Sequence, residues 1–295
     1  MTSALAFGQV TEGRTSTGLR YLERKSDSDT LTFFFHGLGL DATDYLGYLS
    51  TTDTHGIALN LRGYEPDRSA GIPPVPLASH ILLAAAFVEQ VSRENAGKEV
   101  VLLGFSLGAD LILQLAEHWQ SGGRGEVPAV RAALLLDPNV NQSTMTISRL
   151  FAKADPADPV SAFKELVNLA PDKDGFRSLC HYLTKVAPKD FGQVAQLSRD
   201  MITYWRPDGY DQFGARLHNV TRVAEHVRLV LSASYGEHLS AMRTAMGRHG
   251  DADTVSVELT GVDHFDLIDE DRLASVLAPF TGRSGQVSSR RATSR

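Results

Sequence analysis

The segment VVLLGFSLGADLILQLA, residues Val100–Ala116, constrains the fold more than any other part of the chain. Its first residues form a near-continuous apolar run, which is typical of a strand buried on both faces in a parallel sheet. A Gly-x-Ser-x-Gly motif follows at Gly104–Gly108, and apolar residues at helical spacing predict a helix over Leu107–Gln120. The segment therefore predicts a buried strand that turns sharply into a helix, with Ser106 at the turn.

Five further apolar runs have the same character, and helical patterns separate most of them. The strands are predicted at Leu31–Phe35, Gly56–Leu61, Val130–Leu136, Val227–Ala233 and Thr254–Leu259, and the other helices at Leu77–Arg93, Glu237–Arg248 and Asp269–Phe280. Two earlier segments, AFGQVT and GLRYLER, are predicted to pair antiparallel at the start of the sheet. The alternation of strand and helix predicts a doubly wound α/β fold.

The alternation breaks once, between residues 141 and 220, where helical patterns at Ser161–Leu169, Phe176–Val186 and Phe191–Trp205 are separated by prolines. We predict a core of residues 1–140 and 221–280 and a helical insertion of residues 141–220. The polar, small-residue-rich segment 281–295 is predicted to be disordered. Some aromatic residues of the insertion are expected to line an apolar pocket over Ser106, although most aromatics at helical spacing belong to a core. These aromatics are Phe151, Phe163, Phe176, Tyr182, Phe191, Tyr204, Trp205, Tyr210 and Phe213.

The composition excludes several classes of partner. The 295 residues are 42% hydrophobic and 22% charged, which is ordinary for a soluble globular chain. The net charge of −6 with scattered Lys and Arg indicates no nucleic-acid partner. The longest apolar run, Ile81–Val88, is too short to span a bilayer, so we expect no membrane partner. Cys180 is the one cysteine and no signal peptide is evident, which favours a cytoplasmic location.

Ser106 is a candidate nucleophile. A serine hydroxyl needs a base to remove its proton, and a strand-to-helix turn displays that hydroxyl above the sheet. Small residues are needed two positions either side, and Gly104 and Gly108 supply them. The backbone N–H of Leu107 would then point at a developing oxyanion. The alternative is a glycine-rich loop in which Ser106 only caps the helix.

The sequence FFFHGLGLD provides a second candidate oxyanion donor, the backbone N–H of Leu38, at another strand end. A competing interpretation is that Gly37-x-Gly39-x-x-Ala42 is a dinucleotide fingerprint. That motif requires an acidic residue about 20 positions further on, where the chain has Asn60 followed by Arg62. With Asn60 and Arg62 at this position, only an NADP-type site is compatible with the motif. That interpretation also gives no role to Ser106. We therefore expect no cofactor.

His264 is the candidate base, because it lies in the loop between the last strand and the last helix. A base in that loop can reach a serine at the centre of the sheet. A surface hydrogen-bonding role is the alternative. Among the other histidines, His118, His226 and His238 are predicted on solvated faces, and no H-E-x-x-H spacing indicates a metal.

The strand-HGLG, LNLRGYE, GFSLG-helix and late GVDHFDL segments together resemble the α/β-hydrolase family over nearly all of residues 1–280. The resemblance implies the α/β-hydrolase fold, a mostly parallel eight-stranded sheet flanked by helices. It also implies a helical cap after the sixth strand, where residues 141–220 fall. Members of this family mostly cleave esters, amides, thioesters or lactones through an acyl-serine. Their triad follows the chain order serine, acid, histidine.

The resemblance leaves two candidates for the acid. The family usually places it after the seventh strand, where this chain has YGEHL and only Glu237 offers a carboxylate. The family's other location is the end of the sixth strand, where Asp137 precedes Pro138. We favour Asp137 as the group that orients His264, although an aspartate before proline also often starts a turn.

The sequence therefore predicts a serine hydrolase with Ser106, His264 and Asp137 in its triad and no metal or cofactor. The expected substrate is an ester, lactone or thioester of a small apolar or mixed-polarity molecule. Among these, a carboxylic ester is the most favoured. A lyase, a cyclase or a ligand-binding protein with an incomplete triad is the alternative.

Overall fold

The computed structural model describes residues 10–64, 73–122 and 127–281. Its centre is an eight-stranded sheet with the order β1-β2-β4-β3-β5-β6-β7-β8. The pairs β1/β2 and β2/β4 are antiparallel and all other neighbours are parallel. The strands are Val10–Arg14 (β1), Arg20–Arg24 (β2), Thr30–Phe35 (β3), His55–Leu59 (β4), Glu99–Phe105 (β5), Val130–Leu136 (β6), Ala224–Leu231 (β7) and Val255–Leu259 (β8). The predicted mostly parallel α/β sheet is confirmed.

Four of the strands predicted from continuous apolar runs, β3, β4, β5 and β6, form the middle of the sheet, whereas β8, predicted from the same pattern, is an edge strand with a single buried residue. Every residue of β3 and β4 is buried, and in β5 and β6 one residue of each is not. Such strands need helices on both faces, because the side chains on both faces are mainly apolar and buried. Strand β5 pairs with β3 on one side and with β6 on the other, so Ser106 follows the carboxyl end of a central strand.

Helices cover the sheet and occupy the chain between β6 and β7. Outside that stretch they are Leu46–Thr51 (α1), Leu77–Glu94 (α2), Leu107–Gln120 (α3), Leu239–Gly247 (α9) and Glu270–Thr281 (α10). Between β6 and β7 they are Thr146–Lys153 (α4), Pro159–Asn168 (α5), Lys173–Val186 (α6), Phe191–Tyr204 (α7) and Asp211–Thr221 (α8). The predicted start of α9 is two residues early, because Ala233–Glu237 forms a separate 3₁₀ segment.

The helices between β6 and β7 fall into two packing groups. Helix α4 packs on α7, and α5 packs on α4 and α6. Helix α8 lies within the predicted insertion 141–220 but packs on α3, α9 and β7, so it covers the sheet. The division of the chain at residues 141 and 220 stays a prediction.

Two predicted segments extend past the described residues. Thr281 ends α10, and the rest of the predicted disordered tail, 282–295, lies outside them, as do residues 6–9 of the AFGQVT segment. Within the described ranges, no helix has the length and apolar character needed to cross a membrane.

Candidate active site

Ser106 occupies the turn between β5 and α3. Its backbone has φ +52° and ψ −119°, a conformation that costs a non-glycine residue about 1–3 kcal/mol. The Ser106 N–H donates to the Leu136 carbonyl at 2.8 Å, which holds the turn against β6. Ser106 occupies the N-cap position of α3. Within the described part of the chain, however, its side chain accepts no hydrogen bond from the first N–H groups of that helix. The geometry displays the hydroxyl and does not support a role in capping alone.

The two flanking glycines are required by close backbone packing. A Cβ on Gly104 would lie closer than 3.0 Å to the Gly108 carbonyl, and a Cβ on Gly108 would lie as close to the Phe35 carbonyl. Backbone atoms cannot move aside as a flexible side chain can. The Gly-x-Ser-x-Gly spacing therefore lets β5, α3 and the end of β3 approach one another around Ser106.

We expect Gly108→Ala to destabilise the protein by about 3 kcal/mol, because the new methyl group would overlap the Phe35 carbonyl oxygen. Thermal unfolding followed by circular dichroism measures the effect. The matched control is Gly247→Ala in α9, where a Cβ would meet its nearest neighbour at 3.9 Å. That control is expected to stay within about 0.5 kcal/mol of the wild type. An unchanged melting temperature for Gly108→Ala would contradict this account of the turn.

The structure brings His264 and Asp137 together. The Nδ1 atom of His264 lies 2.7 Å from Oδ2 of Asp137, whose side chain has no exposed surface. The other carboxylate oxygen of Asp137 accepts a 2.7 Å hydrogen bond from the Ser232 N–H. The His264 side chain is 27% exposed, and its ring lies 4.6 Å from that of Phe105, centroid to centroid. Asp137 thus orients the ring of His264 so that Nδ1 donates and Nε2 remains available.

The alternative acid, Glu237, lies elsewhere. Its side chain is 80% exposed and lies 3.4 Å from Nε2 of His238. The residue that follows β7 directly is Ser232, and its backbone N–H supports Asp137. The chain therefore presents its buried carboxylate from the end of β6, with the end of β7 supplying a hydrogen-bond donor.

Two residues that the sequence analysis did not assign to the site hold the loop that follows Asp137. The Tyr235 hydroxyl donates to the Pro138 carbonyl at 2.9 Å. The Asp110 carboxylate accepts hydrogen bonds from the backbone and side-chain amides of Asn139. Burial raises the pKa of Asp110, and the hydrogen bonds from Asn139 oppose that shift. An aspartate in the first turn of α3, within the otherwise uncharged and largely apolar segment Leu107–Leu113, was the available signal for this role.

The turn after β3 presents Leu38 toward the same cavity as Ser106. The Gly37 carbonyl accepts hydrogen bonds from Nδ1 of His36 at 2.8 Å and from the Leu40 N–H at 3.2 Å. Because a trans peptide directs its C=O and N–H to opposite sides, the Leu38 N–H faces away from those donors. Burial lowers the pKa of His36, so its ring is neutral, and Nε2 accepts the Leu61 N–H at 3.1 Å.

The same turn does not fit a dinucleotide pyrophosphate. The Gly39 N–H donates to the Tyr64 hydroxyl at 3.2 Å, and the Ala42 N–H donates to Oδ1 of Asn60 at 2.6 Å. The helix that follows is a four-residue 3₁₀ segment, Ala42–Tyr45, capped by the Asp41 side chain. A pyrophosphate site needs free N–H groups at the start of a helix, and here protein side chains occupy them.

A cavity of about 330 Å³ connects these groups. It is lined by Ser106, His264, Leu38, Phe105 and by residues of the helical stretch between β6 and β7. Of the nine aromatics that were candidates for its wall, the described lining includes only Tyr182. The other apolar residues from that stretch are aliphatic: Met145, Ile147, Leu166, Leu169, Pro171 and Leu179.

Most of the remaining aromatics pack together. The rings of Phe151, Phe163 and Phe191 contact one another edge to face, and Trp205 and Phe213 are buried. Periodicity alone places a residue on the buried face of its helix but does not say which neighbour that face meets. In the described parts of the chain, no group of three or more His, Cys, Asp or Glu side chains has a geometry that could hold a metal ion.

Comparison with known proteins identifies the family. A model of the alpha/beta hydrolase family matches residues 33–276. A comparison with curated protein sequences gave no match.

Solved structures share the fold at low sequence identity. A carboxylesterase structure from the ammonia-oxidizing thaumarchaeon Nitrososphaera gargenis has a TM-score of 0.62 at 11% identity, covering 91% of this chain and 97% of that one. MenH from S. aureus has a TM-score of 0.59 at 16% identity, covering 88% and 98%. An AqdC variant that cleaves the ring of the Pseudomonas quinolone signal has a TM-score of 0.63 at 16% identity, covering 92% and 99%.

At these identities the solved structures are evidence for the fold alone. The family model covers well over half of the chain, and the sheet order and the strand-to-helix turn at Ser106 agree with it. The chain belongs to the alpha/beta hydrolase family.

Proposed function

We propose that this protein is a serine hydrolase that cleaves an ester, lactone or thioester of a small molecule, with a carboxylic ester as the first candidate. The observation that carries the proposal is the 2.7 Å contact between Nδ1 of His264 and the fully buried Asp137, because His264 and the strained Ser106 line the same cavity. A base with a buried carboxylate partner beside a displayed serine is the arrangement that acyl transfer requires.

In the first half of the reaction, the Oγ atom of Ser106 attacks the substrate carbonyl carbon. Nε2 of His264 takes the hydroxyl proton, and the carbonyl π electrons move to the oxygen. Asp137 stabilises the imidazolium that forms. The backbone N–H groups of Leu38 and Leu107 donate to the oxyanion.

In the second half, the tetrahedral intermediate collapses. The bond to the leaving group breaks, and His264 returns its proton to the departing oxygen or sulfur. Water then attacks the acyl-serine, with His264 again as the base, and Ser106 recovers its proton as the acid is released.

The wall of the cavity indicates the polarity of the substrate. The lining includes the apolar residues Met145, Ile147, Leu166, Leu169 and Leu179, and Asn139, Thr144, Ser148 and Ser178 contribute uncharged polar groups. Outside the candidate triad, Asp263 is the one carboxylate in the described lining, which includes no lysine or arginine. A neutral, largely apolar molecule fits such a wall, and the volume of about 330 Å³ lies at the small end of the range for ligand sites.

The alternative of a non-hydrolytic enzyme or a binding protein rests on the missing acid after β7. Asp137 provides a carboxylate to His264 from the neighbouring strand β6. That contact supports a complete triad, and so favours the serine hydrolase over the alternative.

Labelling with a fluorophosphonate probe tests the proposal. The folded protein is expected to gain one covalent adduct, detected by intact-protein mass spectrometry and mapped by digestion to the peptide that contains Ser106. Protein denatured before the probe is added serves as the control and is expected to stay unlabelled, because His264 and Asp137 are then apart. Folded protein that gains no adduct at Ser106 would contradict the acyl-serine mechanism.

A further inference from the structure

Helix α6 contacts the turn that carries Leu38. The Tyr182 hydroxyl, on a side chain that is 2% exposed, donates to the Leu38 carbonyl at 2.9 Å. The N–H of the same peptide group, which belongs to Gly39, donates to the Tyr64 hydroxyl at 3.2 Å. Both polar atoms of the peptide between residues 38 and 39 are therefore held by buried phenols, and Tyr182 comes from a distant part of the chain.

This peptide adjoins the proposed oxyanion donor. The Leu38 N–H belongs to the preceding peptide group, and the two peptides share the Leu38 Cα. Glycines lie on both sides, and Gly39 has φ +74°, so the backbone of the turn has unusual conformational freedom. An oxyanion donor is effective only when its N–H points to where the charge develops. Fixing the peptide after Leu38 limits the rotation that would turn this N–H away.

Ion pairs hold α6 and the residues just after it against the segment that follows the turn. Lys185 pairs with Asp44, and Nζ of Lys189 lies 2.5 Å from Oδ2 of Asp41. Burial alone would raise the pKa of Asp41, but the charge of Lys189 and hydrogen bonds from Lys189 and Thr43 outweigh it and lower this pKa to about 2. These contacts fix α6, and with it the Tyr182 hydroxyl, relative to the turn.

We propose that Tyr182 is a positioning residue for the oxyanion site, so that docking of α6 on the turn Gly37–Leu40, together with the hydrogen bonds to the Gly37 carbonyl, holds the direction of the Leu38 N–H. The inference rests on the proposed function, since it assigns Tyr182 a role in stabilising the same tetrahedral intermediate. The helical stretch between β6 and β7 then contributes to catalysis as well as to the wall of the cavity.

The variant Tyr182→Phe isolates the hydroxyl. The Tyr182 ring stacks on Phe265 with centroids 4.9 Å apart, and phenylalanine retains that packing. With p-nitrophenyl butyrate as substrate, we expect kcat to fall about tenfold and KM to change less than about twofold. A complete loss of one oxyanion donor costs about 10²–10³ in kcat, so displacing a donor costs less. An alkyl trifluoromethyl ketone forms a tetrahedral adduct with a nucleophilic serine and so resembles the reaction intermediate. Its affinity is expected to fall by about the same factor as kcat/KM.

Tyr45→Phe is the matched control. The Tyr45 hydroxyl, also fully buried, donates to the Phe35 carbonyl at 2.9 Å, outside the peptide that follows Leu38. Both variants lose one buried hydrogen bond and are expected to lose about 1 kcal/mol of stability. The control is expected to retain wild-type kcat and ketone affinity. A general loss of stability would affect the two variants alike.

Tyr64→Phe removes the contact at the other end of the same peptide and is expected to show the same selective loss of kcat and ketone affinity. It keeps the inference testable if Tyr182→Phe fails to fold. If the wild-type protein hydrolyses the ester and the folded Tyr182→Phe and Tyr64→Phe variants have the same kcat and ketone affinity as the wild type, the role of Tyr182 is overturned. The proposed function is then unaffected. Wild-type protein that neither labels at Ser106 nor hydrolyses esters would overturn the proposed function, and this inference with it.

Discussion

Replacing Ser106 by alanine is expected to lower kcat for ester hydrolysis by about 10⁶-fold, because the acyl-enzyme can no longer form. The Leu38 and Leu107 N–H groups and the cavity stay in place, so a residual rate above that in water is expected from binding and oxyanion stabilisation. Steady-state hydrolysis of p-nitrophenyl butyrate at high enzyme concentration measures the loss. Fluorophosphonate labelling is expected to disappear with it.

The matched control is Ser198→Ala. Ser198 is buried in α7, and its hydroxyl donates to the Val194 carbonyl within the same helix. It is absent from the described lining of the cavity. This variant is expected to hydrolyse the ester at the wild-type rate. A folded Ser106→Ala protein that keeps more than about one hundredth of the wild-type kcat would contradict the assignment of Ser106 as nucleophile.

Asp137→Asn is expected to lower kcat by about 10⁴-fold with little change in KM. The carboxylate accepts from Nδ1–H of His264 at 2.7 Å, whereas an amide can present its NH₂ group to that nitrogen. The ring would then carry its proton on Nε2, which could no longer accept the proton of Ser106. Kinetics with p-nitrophenyl butyrate, and circular dichroism to establish folding, measure the effect.

Glu237→Gln makes the same chemical change at the alternative acid. Because the Glu237 side chain is 80% exposed and lies beside His238, we expect this variant to stay within about twofold of the wild-type kcat. Full activity in Asp137→Asn together with a large loss in Glu237→Gln would reverse the assignment of the two carboxylates.

The positions of the strands and helices were largely predictable, because they depend on short-range patterns. Strand β6 and helix α3 have the predicted bounds, and Gly104 and Gly108 indicate close packing around Ser106 through their spacing alone. A run of apolar residues determines whether a segment is buried, and glycine determines where backbones can approach. Neither property depends on a distant partner.

The choice of carboxylate required the tertiary structure. Asp137 and His264 are 127 residues apart, and they meet because β6 and β8 both flank β7 in the sheet. In the sequence, Asp137 and Glu237 were comparable candidates, each close to the end of a predicted strand. Burial and direction separated them, since one carboxylate has no exposed surface and the other faces solvent.

Long-range packing likewise decided which residues line the cavity and which side chain bonds the Leu38 carbonyl in the turn Gly37–Leu40. Tyr182 reaches the Leu38 carbonyl across 144 positions of sequence, whereas other aromatics at similar helical spacing pack among themselves. Local periodicity determines which face of a helix is buried. The partner that this face meets depends on how the helices between β6 and β7 dock on the sheet. The sequence by itself determined the strand-to-helix turn at Ser106, and the fold decided which carboxylate contacts His264 and which phenol contacts the Leu38 carbonyl.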